Sequence, residues 1–413
     1  MSEAIADTKK RIRIGLVPRL LIAIGVGVLL GSFAPEPINR FVVTLSALFG
    51  SFLGFIIPLM ILAFVTMGIA ELSQGAGKLL ILTVVLAYTS TLLAGGGAFL
   101  VATNVFPNFV DMSASAAGAD MSEGMLSPYF SITLVPIMDV MAAIIMAFIL
   151  GICISMMRAK SKTGVVLHSV FGEFLQVINF VLMKIIVPLL PIFICGTFVN
   201  MTVSGAAFTI LNVLWRVFLV VIIMHFVYLL IVYNIGGFAS HKNPFALMKK
   251  QVPAYVTALG TQSSAATIPV NLKCAESQGV PKEIVNFLVP LCANIHLPGS
   301  IITITSCVTA VLLMNGMPVS PELFLPFILT LSVVMVAAPG APGGAVMAAL
   351  PFFPMVGIAS DSAMASIIIA FHLAQDGFGT ACNVSGDNAL ANIVGAYYKK
   401  RVDKGGIAGI EGS

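Results

Sequence analysis

Apolar residues dominate this chain in long runs, and polar residues collect in short clusters between them. Most runs are long enough to cross a bilayer as helices, which need about 20 residues. The pattern predicts spans near 16–34, 42–71, 79–105, 132–157, 165–200, 207–236, 283–314 and 361–397. Two further stretches, near 245–278 and 321–355, break in the middle at small-residue loops. The first break is Thr261-Gln-Ser-Ser-Ala-Ala-Thr-Ile-Pro269, and the second is Ala338-Pro-Gly-Ala-Pro-Gly-Gly-Ala345. A helix interrupted at bilayer depth bares N–H and C=O groups that lipid cannot satisfy, so these loops must line a protein cavity or hold a ligand. Paired interruptions in corresponding parts of a membrane chain point to a transporter site.

Charge placement decides how the broken stretches enter the membrane. Basic residues fall at Lys9, Lys10, Arg11 and Arg13, at Lys78, at Arg158, Lys160 and Lys162, at Lys242, Lys249 and Lys250, at Lys282, and at Lys399, Lys400 and Arg401. The segment from Pro107 to Ser127 carries Asp111, Asp120 and Glu123 without any Lys or Arg, and Arg40 is the main exception. The positive-inside rule then puts both termini in the cytoplasm. Counting either broken stretch as a single span would put Lys282 and the C-terminal basic cluster on the wrong side. Both stretches are therefore expected to be re-entrant hairpins that enter from opposite sides. The expected fold is an all-α polytopic membrane protein with eight transmembrane helices plus two re-entrant helical hairpins, built as an inverted repeat. The first six spans lack such breaks and read as scaffold.

Composition agrees with this class. The 413 residues are 59% hydrophobic and 9% charged, with a mean hydropathy of +1.05. No soluble domain of this size hides so much apolar surface. The basic N-terminal stretch leads into a run long enough to span, which argues against a cleaved signal. The six cysteines (153, 195, 274, 292, 307 and 382) lack paired spacing and read as small hydrophobes. Nothing resembles a nucleic-acid patch, a nucleophile elbow or a phosphate loop, so a binding module or an enzyme is not expected. A channel would repeat its filter around an axis between subunits, whereas both breaks here lie in one chain. Glu173, Lys184 and Arg216 look like charges within spans, and Asp139 lies near the start of one. They are expected to reach the interfaces rather than to act.

The last span carries the chemistry. Asp376 and Asp387 are eleven residues apart, close to three helical turns, so they share a face. Thr380 and Asn383 complete the stripe, and His372 precedes Asp376 by one turn. A carboxylate at membrane depth needs a cavity, a cation or a partner. In the span 283–314, Asn294-Ile-His-Leu-Pro-Gly-Ser300 places Pro and Gly mid-helix and frees carbonyls one turn earlier. Hard oxygen ligands of this kind suit an alkali cation. The hairpin tips offer helix N-termini suited to a carboxylate, and Gly343 and Gly344 permit close backbone approach.

These residues resemble the dicarboxylate/amino acid:cation symporter family, which has the glutamate-transporter fold, and within it most closely the serine/threonine:sodium symporter branch. Thr261 to Asn271 is similar to that branch's T-R-S-S-A-A-N-I-P-V-N. Gly340 to Gly344 is similar to the family's G-V-P-G-A-G, and Asp376 to Asp387 has the spacing of its D-x-x-R-T-x-x-N-x-x-x-D. The match is specific over 254–396, and before that it rests on span number and loop charge.

The resemblance implies a Na⁺-coupled symporter with no organic cofactor, in a bacterial-type inner membrane, assembled as a homotrimer within membrane lipid. Residues 1–15 would be a cytoplasmic segment and 16–240 mainly scaffold, the third and sixth helices belonging in part to the mobile unit. Residues 241–397 would form the transport core, moving as an elevator with the second hairpin as outer gate, and 398–413 a cytoplasmic tail. Asp376 would hold a substrate ammonium. Asn383, Ser264 and nearby backbone would hold the α-carboxylate. Gln262, Ser263, Ala341, Gly343, Gly379 and Thr380 would complete the substrate pocket. Asp387 would bind Na⁺ with carbonyls around Cys292, His296 and Asn383, and a second Na⁺ would lie between Asn294 and the stretch from Met335 to Ala338.

Departures from the family pattern narrow the substrate. Gly379 stands where acidic-substrate members carry an Arg, which removes the partner for a second carboxylate. Asp376 argues against plain dicarboxylates, which lack an ammonium. A small neutral amino acid, serine or threonine first, is the expected substrate. The family's N-M-D-G-T is His296-Leu-Pro-Gly-Ser300 here, which leaves the sodium count open. Gln262 replaces the branch's usual Arg at the first hairpin tip. The alternatives are proton coupling, through His296 and His372, or an acidic amino acid or dicarboxylate substrate on the same fold.

Overall fold

A computed structural model describes residues 16–72, 78–110, 125–158, 162–205, 207–335, 338 and 342–402. The basic N-terminal stretch, the acidic residues Asp111, Asp120 and Glu123, and Ala341 at the second hairpin tip lie outside the described residues. The described residues are mostly helical and contain no strand.

The N-terminal helices are α1 (Leu16–Phe33), α2 (Glu36–Leu72), α3 (Lys78–Val105), α4 (Val140–Arg158), α5 (Lys162–Val181), α6 (Val187–Val203) and α7 (Ala207–Ser240). Pro35 cannot continue α1, and Glu36 lies in the first turn of α2, where a carboxylate suits the helix dipole. A π-helical turn, Leu182–Ile186, joins α5 to α6. It precedes Pro188, which has no N–H for the Lys184 carbonyl. The expected span near 165–200 is thus one continuous helical run, Lys162–Val203, with a π-helical turn inside it. The span expected near 132–157 begins later, at Val140, because residues 125–138 run without helix and are tied down from outside. Leu126 N–H reaches Asn200 Oδ1 at 2.9 Å, and Tyr129 N–H reaches Thr44 Oγ1 at 2.9 Å. Arg40, the exception to the charge pattern, stacks over the Tyr129 ring at 4.5 Å and donates to the Ser127 carbonyl. Asp139 caps α4 through the Ala142 N–H, and Glu173, Lys184 and Arg216 all lie on the outer surface of the chain.

The C-terminal part follows the expected order. Hairpin one is α8 (Pro244–Thr261) and α9 (Ser264–Ser277). The next span divides into α10 (Lys282–Ile295) and α11 (Pro298–Met314). Hairpin two is α12 (Pro321–Val334) followed by the short α13 (Gly344–Ala349) and a 3-10 turn, Leu350–Val356. The last helix, α14, runs from Ala363 to Val402. Within this part α11 is buried from Pro298 through Leu312, and α14 packs against α7, α8, α10 and α11. Helix α3 packs on α11 and α12, whereas α1, α2, α4 and α6 pack mainly among themselves. Helices α3 and α7 therefore flank the C-terminal unit and frame its polar interior.

Candidate functional site

The site is the face of α14 that carries His372, Gln375, Asp376, Thr380, Asn383, Asp387, Asn388 and Asn392, all buried. So long a buried polar stripe is stable in lipid only if neighbours meet it. Three interruptions supply those neighbours.

The first is the tip of hairpin two. Gly343 N–H donates to Asp376 Oδ2 at 2.7 Å. Gly343 sits at φ +77°, in the left-handed region, and an added Cβ there would lie 2.8 Å from Leu373 Cδ2. Only glycine turns this N–H onto the carboxylate without strain. Met335 ends α12, and its carbonyl accepts the Ala338 N–H at 3.2 Å, with both residues buried.

The second is the break between α10 and α11. His296 is extended there, and its N–H still bonds the Cys292 carbonyl at 2.9 Å. Pro298 has no N–H for the Asn294 carbonyl, so that oxygen faces the gap without a helical donor. The Asn294 side chain folds back onto the Pro290 carbonyl. Asn383 closes the break from the other side. Its Oδ1 accepts from Gly299 N–H at 2.7 Å and Ser300 N–H at 3.3 Å, and its Nδ2 donates to Ser300 Oγ at 3.0 Å. The Asn383 side chain thus caps α11, a role the sequence pattern could not reveal. A Cβ on Gly299 would lie 2.3 Å from the Gly379 carbonyl, so the two backbones meet without side chains between them. A Cβ on Gly379 itself would point at Gly299 and Ser300, 3.5–3.6 Å away. Gly379 therefore faces the α11 N-terminus, the same backbone that Asn383 caps.

Asp387 lies at the same break. Its Oδ1 meets His296 Nδ1 at 2.9 Å, with both side chains fully buried. Its Oδ2 is buried and has no hydrogen bond among the described residues. His296 Nε2 in turn lies 3.1 Å from Ser90 Oγ and 3.2 Å from Tyr228 Oη. A carboxylate with one bare oxygen, beside carbonyls freed by a proline, is a donor set that suits an alkali cation.

The third interruption is the tip of hairpin one. Gln262 caps α8 in the left-handed region at φ 54°. Ser263 caps α9 through the Ala266 N–H. Ser264 is buried, and neither its side chain nor those of Gln262 and Thr380 makes a hydrogen bond among the described residues.

Sequence reasoning missed several residues. His225 on α7 donates through Nε2 to the Gly299 carbonyl at 3.0 Å and is fully buried. A carboxamide ladder also runs along α14 toward the basic end of the unit. Gln251 bonds Asn271, and Asn388 bonds Gln251. Gln278 bonds Gln251 as well, and Asn392 bonds Gln278. Lys242 ends it, donating to Asn392 Oδ1, Gln278 O and Gly279 O. The recurrence of amides at helical spacing in Asn388 and Asn392 was the available signal.

Comparison with known proteins places this arrangement. A model of the sodium:dicarboxylate symporter family matches residues 16–397. The chain is 26% identical over 275 residues to excitatory amino acid transporter 2 of Mus musculus, and equally to that of Rattus norvegicus. The alignment takes in 64% of this chain and 46% of each relative, so the chain spans about half the length of the curated relatives it matches.

Proposed function

The chain belongs to the sodium:dicarboxylate symporter family, one of transporters rather than enzymes, and from that premise we propose that it couples Na⁺ to the uptake of a small neutral amino acid, serine or threonine first. It is a multi-pass membrane protein of the glutamate-transporter fold. The observation that carries the reading is the division of labour on α14. Two buried carboxylates share a face, and each is engaged by a different break: Asp376 by hairpin two, Asp387 by the α10–α11 gap. A zwitterion and a cation are two charged cargoes that such a pair would neutralise separately.

In this reading Asp376 takes the substrate ammonium, and the Gly343 N–H is the contact it exchanges as hairpin two moves. Ser264 and Thr380, whose hydroxyls are uncommitted, supply donors for the α-carboxylate beside the α9 N-terminus. Asp387 Oδ2 and the Asn294 carbonyl bind Na⁺. Gly379 supports the neutral substrate, since among the described residues no guanidinium stands by the pocket to meet a second carboxylate. The homotrimer, the elevator movement, cytoplasmic termini and an inner-membrane location belong to the same proposal and rest on the family pattern.

The test is uptake of a labelled amino-acid panel into proteoliposomes under a gradient of Na⁺, of Li⁺ or of protons alone. Serine or threonine should accumulate under Na⁺. The names of the matched relatives favour acidic amino acids as the competing reading, and accumulation of aspartate would overturn the neutral substrate. Uptake driven by a proton gradient alone would overturn the ion.

A further inference from the structure

Resting on the sodium reading above, we infer that the His296 side chain is the positioning residue of the cation site: as a neutral imidazole held by Ser90 and Tyr228, it fixes Asp387 Oδ1 and leaves Oδ2 to the ion.

Hydrogen counting leads there. A carboxylate only accepts, so His296 Nδ1–H is the donor in the 2.9 Å contact with Asp387 Oδ1. Two hydroxyls face Nε2, Ser90 at 3.1 Å and Tyr228 at 3.2 Å, and they lie 2.7 Å from each other. One hydroxyl donates to the other, and the second donates to Nε2. Every hydrogen then has an acceptor and the ring is neutral. An imidazolium would turn Nε2–H onto a hydroxyl and push one hydroxyl hydrogen out of the circuit. With the ring neutral, Asp387 keeps its full charge, and its Oδ2 is the buried oxygen left without a partner. Such a charge is expensive at membrane depth until a cation joins it.

The circuit draws one residue from each of four places: α3, α7, the α10–α11 break and α14. Space for it is kept on α14, where a Cβ on Gly386 would lie 3.0 Å from His296 Cε1 and 3.3 Å from Tyr228 Oη. Partners that orient a ligating carboxylate typically change metal affinity by about 10–100-fold when removed.

The experiment separates the two ring nitrogens. An Asn side chain puts its amide donor where His Nδ1 stands, and a Gln puts it nearer Nε2. Half-saturation by Na⁺ is read as thermal stabilisation of the purified protein at constant ionic strength, with K⁺ as replacement, and again in uptake at saturating substrate. His296→Asn should stay within about threefold of wild type, while His296→Gln should need about tenfold more Na⁺ or beyond, with maximal uptake recovered at high Na⁺. The double variant Ser90→Ala, Tyr228→Phe leaves Asp387 untouched and should raise the Na⁺ requirement by several-fold. Equal Na⁺ half-saturation in the Gln variant, the double variant and wild type would overturn the inference while leaving sodium coupling intact. Loss of all ion response in the Asn variant would also overturn it, since the ring's own charge would then be needed. A wild type with no Na⁺ stabilisation at all would overturn the sodium reading itself, and this inference with it.

Discussion

Gly343 and Asp376 lie 33 positions apart, and a 2.7 Å hydrogen bond joins the N–H of one to Oδ2 of the other. The contact joins the tip of the second hairpin to a buried carboxylate of α14. The group proposed to hold the ammonium is therefore also the group that senses whether the hairpin is down. In the proposed reading, gate and pocket share one oxygen.

Asp376→Asn separates these two duties. The amide oxygen still accepts the Gly343 N–H, so the latch and the fold should survive. An ammonium would lose its charged partner at a buried site, a loss on the order of 3–5 kcal/mol. Amino-acid uptake should vanish while the unfolding temperature stays near wild type. Uptake at wild-type affinity would remove Asp376 from the substrate site.

Gly343→Ala tests the latch from the other side. The left-handed backbone at φ +77° costs an alanine about 1–2 kcal/mol. Its Cβ also meets Leu373 at 2.8 Å. The hairpin tip should move off Asp376, and uptake should fall in rate more than the unfolding temperature falls. An alanine variant with unchanged transport would mean that the contact is not used in the cycle.

Much of this was legible in the sequence, and the exceptions have a common cause. Proline and glycine mark the chain's breaks locally, so the two hairpins and the gap before Pro298 could be placed to within a few residues. Helical spacing also put Asp376, Thr380, Asn383 and Asp387 on one face. It could not say what that face meets. Asn383 reads as a substrate ligand, and only the fold shows that α11 also ends on it. His296 reads as a carbonyl donor until its ring is seen against Asp387, 91 positions away. Ser90 and Tyr228 are 138 positions apart and have no local signature at all. Periodicity assigns faces, whereas partners across helices are set by the packing.

Asn383→Leu removes the cap on α11 with little change in volume. The Gly299 and Ser300 N–H groups would lose their acceptor in a buried place. Loss of a cap of this kind typically costs about 1–2 kcal/mol. The α11 N-terminus borders the proposed cation site, so the Na⁺ requirement should rise together with the loss of stability. Asn383→Asp keeps the acceptor oxygen and should restore most of the stability. If Leu and Asp behave alike in thermal unfolding, the cap is not what the residue contributes.

Lys242 ends the carboxamide ladder in the loop between α7 and α8. Burial, and then Lys399 and Lys250 nearby, hold its ammonium below the usual lysine value. It still donates to the Gln278 carbonyl at 2.6 Å, to the Gly279 carbonyl and to Asn392 Oδ1. Those bonds tie α7, hairpin one and α14 together. Lys242→Met should lower stability by about 1–2 kcal/mol, the range for charge-assisted bonds at a half-buried position. Hydrogen exchange should quicken at the end of α9 around Gln278. Unchanged exchange there would place the stability of the unit elsewhere.

Gly379→Arg is the sharpest test of the substrate assignment. A Cβ at this position is sterically allowed, at 3.5 Å from the Gly299 carbonyl. The guanidinium would follow that direction toward the N-terminus of α11, where the helix dipole disfavours a cation. It would also compete with the Gly299 and Ser300 N–H groups for Asn383 Oδ1. Serine or threonine uptake should therefore fall at least tenfold, a barrier change of about 1.4 kcal/mol. In wild type, unlabelled aspartate should compete poorly with labelled serine, because no guanidinium meets its second carboxylate. Competition in the variant then reports whether the arginine reaches the pocket or remains at the α11 end. A wild type that prefers aspartate would show that Gly379 does not set selectivity, and the neutral-substrate reading would fall.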